Sequence, residues 1–213
     1  QVPINLLTPF IMDRTVQDLR GAGYVRPDYG FTSLGGITVA GTAGAAGPAA
    51  GSEAPGARIS FRSGQPGTVI RDALVRATAG TIDVVSSGSI LLQGTASLQT
   101  PGYRHTFTDG IDSTVVSAGG GVINLVTTGT GTQIDTDATT SLIVDSGLGS
   151  AGTLNISASR GQAVLRSALN TGVAAGTARD ASLRLDTGSA AFDLAGFIAA
   201  NGLRFQGDIA IRT

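Results

Sequence analysis

Polar and apolar positions alternate in short bursts along this chain. Two apolar residues flanking one polar residue, opened by a small residue, recur at Gly80-Thr81-Ile82-Asp83-Val84, Gly121-Val122-Ile123-Asn124-Leu125, Gly152-Thr153-Leu154-Asn155-Ile156 and Ala181-Ser182-Leu183-Arg184-Leu185. Ala57-Arg58-Ile59-Ser60-Phe61 is a weaker, earlier copy. A period of two is that of a β-strand with one buried face. It predicts that Ile82 and Val84, Ile123 and Leu125, Leu154 and Ile156, and Leu183 and Leu185 point inward. Asp83, Asn124, Asn155 and Arg184 should then form an outer column.

Successive copies start 23, 41, 31 and 29 residues apart. That spread is too wide for a propeller or a leucine-rich repeat and suits coils that carry loops of unequal length. Further strands are predicted at 89–92, 96–99, 133–136, 141–144 and 162–165. Strand, turn, strand, turn, strand makes one coil of a three-sided solenoid, so the expected fold class is all-β: a right-handed parallel β-helix with irregular loop excursions. Coils of roughly 25 residues would give about eight turns and a rod on the order of 40 Å long. All of 1–213 reads as one β-helix segment of a larger chain. Residues 1–56 supply irregular opening coils with a Gly/Ala-rich loop at 41–56, and 57–213 carry the clearest coils, interrupted by a loop at 101–120. Residues 4–11 suggest a strand pair around Pro9, 15–19 a helical turn, and the apolar, non-alternating stretch 190–201 a short helix.

Composition sharpens this picture. The chain has 32 Gly, 14% charged and 5% aromatic residues, and neither Trp nor Cys. At 41% hydrophobic it is too apolar for a disordered chain and too poor in aromatics for an ordinary compact core. All 14 basic residues are Arg, and 14 of the 15 acids are Asp, Glu53 being the exception. The shortage of Lys and Glu argues against helical surfaces. A net charge of −1 gives no electrostatic case for nucleic acid or an anionic membrane as partner. Without Cys there is no disulfide framework, thiolate metal site or cysteine nucleophile. No run of about 18 apolar residues occurs, so membrane insertion is not expected. The start, Gln1-Val2-Pro3-Ile4-Asn5, lacks the basic region of a signal peptide and the initiator Met, which reads as a fragment or a processed product.

The run Gly80-Thr81-Ile82-Asp83-Val84-Val85-Ser86-Ser87-Gly88-Ser89-Ile90-Leu91-Leu92, with Ala96-Ser97-Leu98-Gln99 after it, resembles coils of filamentous-haemagglutinin-like large exoproteins. So do Thr132-Gln133-Ile134-Asp135-Thr136, Ser141-Leu142-Ile143-Val144, Thr153-Leu154-Asn155-Ile156 and the ending from Leu183 to Thr213. The resemblance covers 57–213. It implies a right-handed parallel β-helix, export through an outer-membrane transporter by two-partner secretion, and attachment or aggregation at the bacterial cell surface. The family's N-terminal secretion domain has no counterpart in this sequence.

Several short motifs invite chemical readings. Gly147-Leu148-Gly149-Ser150-Ala151-Gly152 fits the G-x-G-x-x-G of dinucleotide sites, but a strand pattern comes after it where the pyrophosphate would need a helix N-terminus, so it reads as a turn. Asp145-Ser146-Gly147 and Asp186-Thr187-Gly188 resemble the paired motifs of aspartic proteases, yet each ends a predicted strand and suits an ordinary turn. His105, the sole imidazole, would have to serve any triad or histidine metal site, with Asp109, Asp112, Thr106 and Ser113 nearby; a plain loop histidine explains it as well. Asp135 and Asp137, two apart, should share a face as the acids of β-helical polysaccharide enzymes do, or stand solvated among threonines. Tyr103, Arg104, His105 and Phe107 form the possible ligand-contact loop, a sugar- or partner-binding patch, unless the loop packs back onto the rod. No catalytic residue, metal ligand or cofactor is assigned.

The expected function is structural and adhesive: a rod-like segment of a secreted bacterial surface exoprotein, not an enzyme. Its partners would be a host or neighbouring cell surface, other copies of itself, and the outer-membrane transporter during export. A polysaccharide lyase or hydrolase and a phage tail-spike or fibre segment are the alternatives.

Overall fold

The alternating segments form strands. The computed structural model describes residues 28–40, 55–108, 113–144, 150–166, 168–170, 181–188, 192–193, 195–197 and 207–213. In chain order the strands are β1 (Asp28–Ser33) and β2 (Ile37–Ala40), then the triplets β3 (Arg58–Ser63), β4 (Gly67–Arg71), β5 (Leu74–Arg76) and β6 (Thr81–Ser86), β7 (Ser89–Gln93), β8 (Ser97–Gln99). After the pair β9 (Tyr103–Thr108) and β10 (Ser113–Ala118) come the triplets β11 (Val122–Thr127), β12 (Gln133–Thr136), β13 (Ser141–Ile143) and β14 (Thr153–Ala158), β15 (Gln162–Leu165), β16 (Ala168–Asn170). β17 (Ser182–Thr187) and β18 (Ile209–Arg212) close the series.

The first strands of the triplets join β1, β17 and β18 in one seven-stranded sheet, ordered β1-β3-β6-β11-β14-β17-β18. The second strands form a five-stranded sheet, β2-β4-β7-β12-β15, and the third a four-stranded sheet, β5-β8-β13-β16. Pairing within all three is parallel. From β3 to β8 and from β11 to β16 successive strands therefore visit the three sheets in rotation, and the described residues form an all-β molecule built mainly of parallel sheets.

Register follows from the alternation, because a slip of one residue would turn every apolar side chain to the opposite face. Ile59, Ile82, Ile123, Leu154 and Leu183 align in one column, and Phe61, Val84, Leu125, Ile156 and Leu185 in the next. None of these ten is more than 2% exposed. The second sheet adds Ile70, Ile90, Leu92 and Ile134 to the same core, and the third Val75, Leu98 and Leu142. Phe31 extends the second column by stacking on Phe61, ring centroids 5.3 Å apart.

The next inward position of the first sheet carries hydroxyls on all but one of the central strands: Ser63, Ser86, Thr127 and Thr187, all buried, with Ala158 between the last two. Ser63 Oγ donates to Ser86 Oγ at 2.9 Å and lies 2.8 Å from Thr68 Oγ1. Ser86 Oγ in turn accepts the Gly88 amide, and Thr187 Oγ1 accepts that of Ala163. Ser86 and Thr187 thus satisfy backbone amides at the corner between the first sheet and the second. The glycine that opens the repeat also has a cause. A Cβ on Gly121 would lie 1.9 Å from the carbonyl oxygen of Gly80, and one on Gly152 1.9 Å from that of Gly121. Consecutive turns stack too closely there for a side chain.

Two expectations change. The stretch 101–120 leaves the parallel sheets as predicted, but not as a loop: β9 and β10 pair antiparallel, Tyr103 opposite Ala118 and Thr108 opposite Ser113. Backbone pairing between β-rich segments gives it a regular form outside the three parallel sheets. Of the opening region, β1 and β2 are regular strands in register with β3 and β4, while 1–27 and 41–54 lie outside the described residues. Among the described residues, the seven strands of the first sheet, at about 4.8 Å spacing, span about 29 Å. A helical turn at 195–197 falls within the apolar stretch 190–201, with Gly196 N donating to Asp193 Oδ1 at 2.9 Å.

Candidate functional site

The hairpin carries the residues singled out for ligand contact. Side chains alternate across a strand, and the described ones do so here: Tyr103 is buried at 7% exposure, and Arg104 is exposed. They do not share a surface. His105 and Phe107 sit in β9 opposite Val116 and Thr114, their side chains outside the described set, as are residues 109–112 with Asp109 and Asp112. The exposed face of the hairpin instead brings Arg104 beside Ser117 and Thr106 beside Val115. Val115 is half exposed and was not singled out in sequence; its pairing partner, which fixes its face, is visible only in the fold.

The acids suggested for chemistry are engaged elsewhere. Asp135 projects from β12 and forms an ion pair with Arg166, one rung on. Asp137 accepts the Gly94 amide at 2.9 Å. The two carboxylates therefore fasten neighbouring turns and do not converge. Asp145 lies outside the described residues, and so does the first half of the glycine motif, 147–149. Strand β14 starts directly after that motif, as the turn reading requires. Among the described residues, no three His, Cys, Asp or Glu side chains come together in a way that could hold a metal ion. No helix among them is long and apolar enough to cross a membrane.

The densest polar constellation lies on the outer face of the seven-stranded sheet. Its central column is Ser60, Asp83, Asn124, Asn155 and Arg184, the last four in register as the alternation predicted. Asp83 is only 7% exposed although it faces outward. Arg58 covers it, with Nε donating at 2.7 Å and Nη2 at 2.6 Å to Oδ2. That contact raises the Arg58 guanidinium above its ordinary pKa. Asn124 Nδ2 donates to the other oxygen, Asp83 Oδ1, and Asn155 Nδ2 donates to Asn124 Oδ1 at 2.7 Å. The amide chain ends at Asn155 Oδ1, which is buried and has no hydrogen-bond partner. Comparison with family models, curated proteins and solved structures returned no match. The site must be read from its own chemistry.

Above Asn155 the column continues to Arg184 and Ala210, and the adjacent column runs Ser157, Asp186, Arg212. Small side chains at Ser157 and Ala210 leave a hollow of about 370 Å³ between these two columns. Arg212 holds Asp186 by a two-pronged contact, Nε to Oδ1 at 2.8 Å and Nη2 to Oδ2 at 2.6 Å, and Ser157 Oγ donates to Oδ2 at 3.4 Å. The Arg212 hydrogen bond holds the Asp186 carboxyl below its ordinary pKa of 3.8, and the same contact raises Arg212. Arg184 is exposed and makes no hydrogen bond or ion pair among the described residues. The hollow thus presents one neutralised arginine and one free one.

Proposed function

We propose that this chain is a right-handed parallel β-helix segment of a bacterial surface exoprotein of the filamentous-haemagglutinin type, serving as a structural and adhesive scaffold. The observation that carries the reading is the rotation of strands through three parallel sheets in constant register. A chain that returns to the same sheet every third strand advances by one rung per circuit. Right-handedness is what twisted strands impose on parallel crossovers in nearly all cases. The uneven intervals of the repeat fit such a coil, because loops can lengthen at its corners without disturbing the stack.

The outer face favours scaffold over enzyme. Asp83, Asp135, Asp137 and Asp186 are each bonded to an arginine or a backbone amide, so each fastens one rung to the next. On this reading the segment is exported through an outer-membrane transporter. It then stands at the cell surface and holds out its hairpin, with Arg104, Thr106, Val115 and Ser117 as the contact face toward a host cell, a neighbouring bacterium or another copy.

Display of the chain on a non-adherent bacterium tests the proposal. Cells should gain settling or attachment to cultured host cells, and should lose it when 103–118 is replaced by a short Gly-Ser turn. Displayed, folded chain that confers neither property would sink the adhesive reading. Adhesion that survives loss of the hairpin would remove the hairpin's role.

A further inference from the structure

The hollow on the outer sheet face has groups that the scaffold reading leaves unused. Arg184 offers a free, planar guanidinium, whose forked donors match a carboxylate. One rung away, Asn155 Oδ1 is an acceptor with no donor, and a buried acceptor left without a partner is costly. Asp186, already saturated by Arg212 and Ser157, keeps Arg212 in place and cancels its charge. Two guanidiniums against one carboxylate leave a single positive charge, located on Arg184. The backbone of three adjacent rungs floors the hollow, and its volume of about 370 Å³ suits one sugar ring with room for substituents.

We infer that this hollow binds an acidic sugar residue, with the sugar carboxylate on the Arg184 fork and a ring hydroxyl donating to Asn155 Oδ1. The amide chain gives this acceptor a fixed direction. Arg58 and Asn124 hold Asp83 from either side, Asn155 gives an amino hydrogen to Asn124, and its oxygen is left without a partner. Asn155 Oδ1 is closed to solvent in the free protein, so binding requires the side chains over it to part. Arg184, unpaired and exposed, is free to move toward an anion. A neutral sugar lacks the charge for Arg184, and a bare inorganic anion lacks the hydroxyl donor for Asn155. The site therefore discriminates in two ways at once. A sugar-binding hollow would serve a scaffold, an adhesin or an enzyme alike, so it stands or falls separately from the adhesive reading.

Titration of the whole chain with sodium D-glucuronate, followed by amide chemical shifts, tests it, with D-glucose and sodium sulfate as parallel probes at matched ionic strength. Glucuronate should bind in the millimolar range and move the amides of 155–157, 184–186 and 210–212. Glucose should bind at least about tenfold more weakly. Arg184→Gln should weaken glucuronate at least about tenfold, as loss of a charged hydrogen-bonding partner does, while Arg62→Gln, an exposed arginine at the other end of the same face, should leave it unchanged. Asn155→Leu should narrow the gap between glucuronate and sulfate, and its folded state can be read from the same spectra. Equal affinity for sulfate and glucuronate in the natural chain would reduce the hollow to an anion site and overturn the sugar assignment. Shifts that ignore Arg184→Gln, or no binding up to about 50 mM, would overturn the site altogether.

Discussion

Arg58→Ala isolates what the outer column contributes to stability. Asp83 is an outward-facing carboxylate whose side chain is 9% exposed, and Arg58, itself 45% exposed, is its covering cation. Removing one member of a fully buried pair costs about 3–5 kcal/mol, because the remaining charge is stranded. Two features reduce that figure. Asn124 still donates to Asp83 Oδ1, and water can enter where the half-exposed arginine stood. The expected loss is therefore about 2 kcal/mol, well above the 0–1 kcal/mol or so of an exposed ion pair. Asp83→Asn removes the charge but keeps an amide able to continue the chain toward Asn124. In that background Arg58→Ala should cost less than about 0.5 kcal/mol, a coupling of roughly 1.5 kcal/mol between the two positions. Urea unfolding by far-UV circular dichroism measures both, provided the slope stays constant between variants. Hydrogen exchange at Val84 and Leu125 would register local opening that the global signal misses. An equal loss in both backgrounds, or a loss below about 0.5 kcal/mol with Asp83 intact, would refute the argument that Arg58 matters by neutralising a buried charge.

Two further outcomes rest on individual groups. Thr127 Oγ1 is buried without a partner while its column neighbour Ser86 is bonded, so Thr127→Val, which keeps the shape and removes the hydroxyl, should raise stability by about 1 kcal/mol; a lower urea midpoint would mean the hydroxyl is bonded after all. Asp186 has its pKa lowered from 3.8 in the folded chain, so its contribution is fully present above that value and disappears as pH falls through the lowered one. Asp186→Asn should therefore flatten the acid limb of stability below pH 3.8, measured as urea midpoints between about pH 6 and about pH 2, and an unchanged acid limb would count against the Arg212 contact.

How far the fold could be read from sequence depended on where large side chains alternate. The strands at 81–86, 122–127, 153–158 and 182–187 were legible because Ile, Leu and Val fill every inward position but the last. β4 was not, because Thr68 points into the core at 0% exposure while Val69 points out, half-buried, which inverts the usual polar-out pattern. β5 has three residues and too little length to show a period. β9 carries Arg104 and His105 and reads like a loop; its strand character is conferred by β10, which supplies Thr114, Val115 and Val116 to pair with it.

The outer face was half legible for a related reason. The column Asp83, Asn124, Asn155, Arg184 could be aligned because each residue sits between two recognisable apolar neighbours. The ion pairs could not be counted off along the chain, since Arg58 and Asp83 are 25 residues apart, Asp186 and Arg212 26, and Asp135 and Arg166 31. What unites these intervals is that each spans one rung, and a rung has no fixed length in residues. Aligning Leu185 with Ile211 is enough to place Arg212 beside Asp186, and the same step sets Ala210 beside Arg184. The hollow is thus a consequence of register: small residues at Ser157 and Ala210, set next to Arg184 by the apolar columns beneath, open space on a face where Asp83 and Asp186 are already paired.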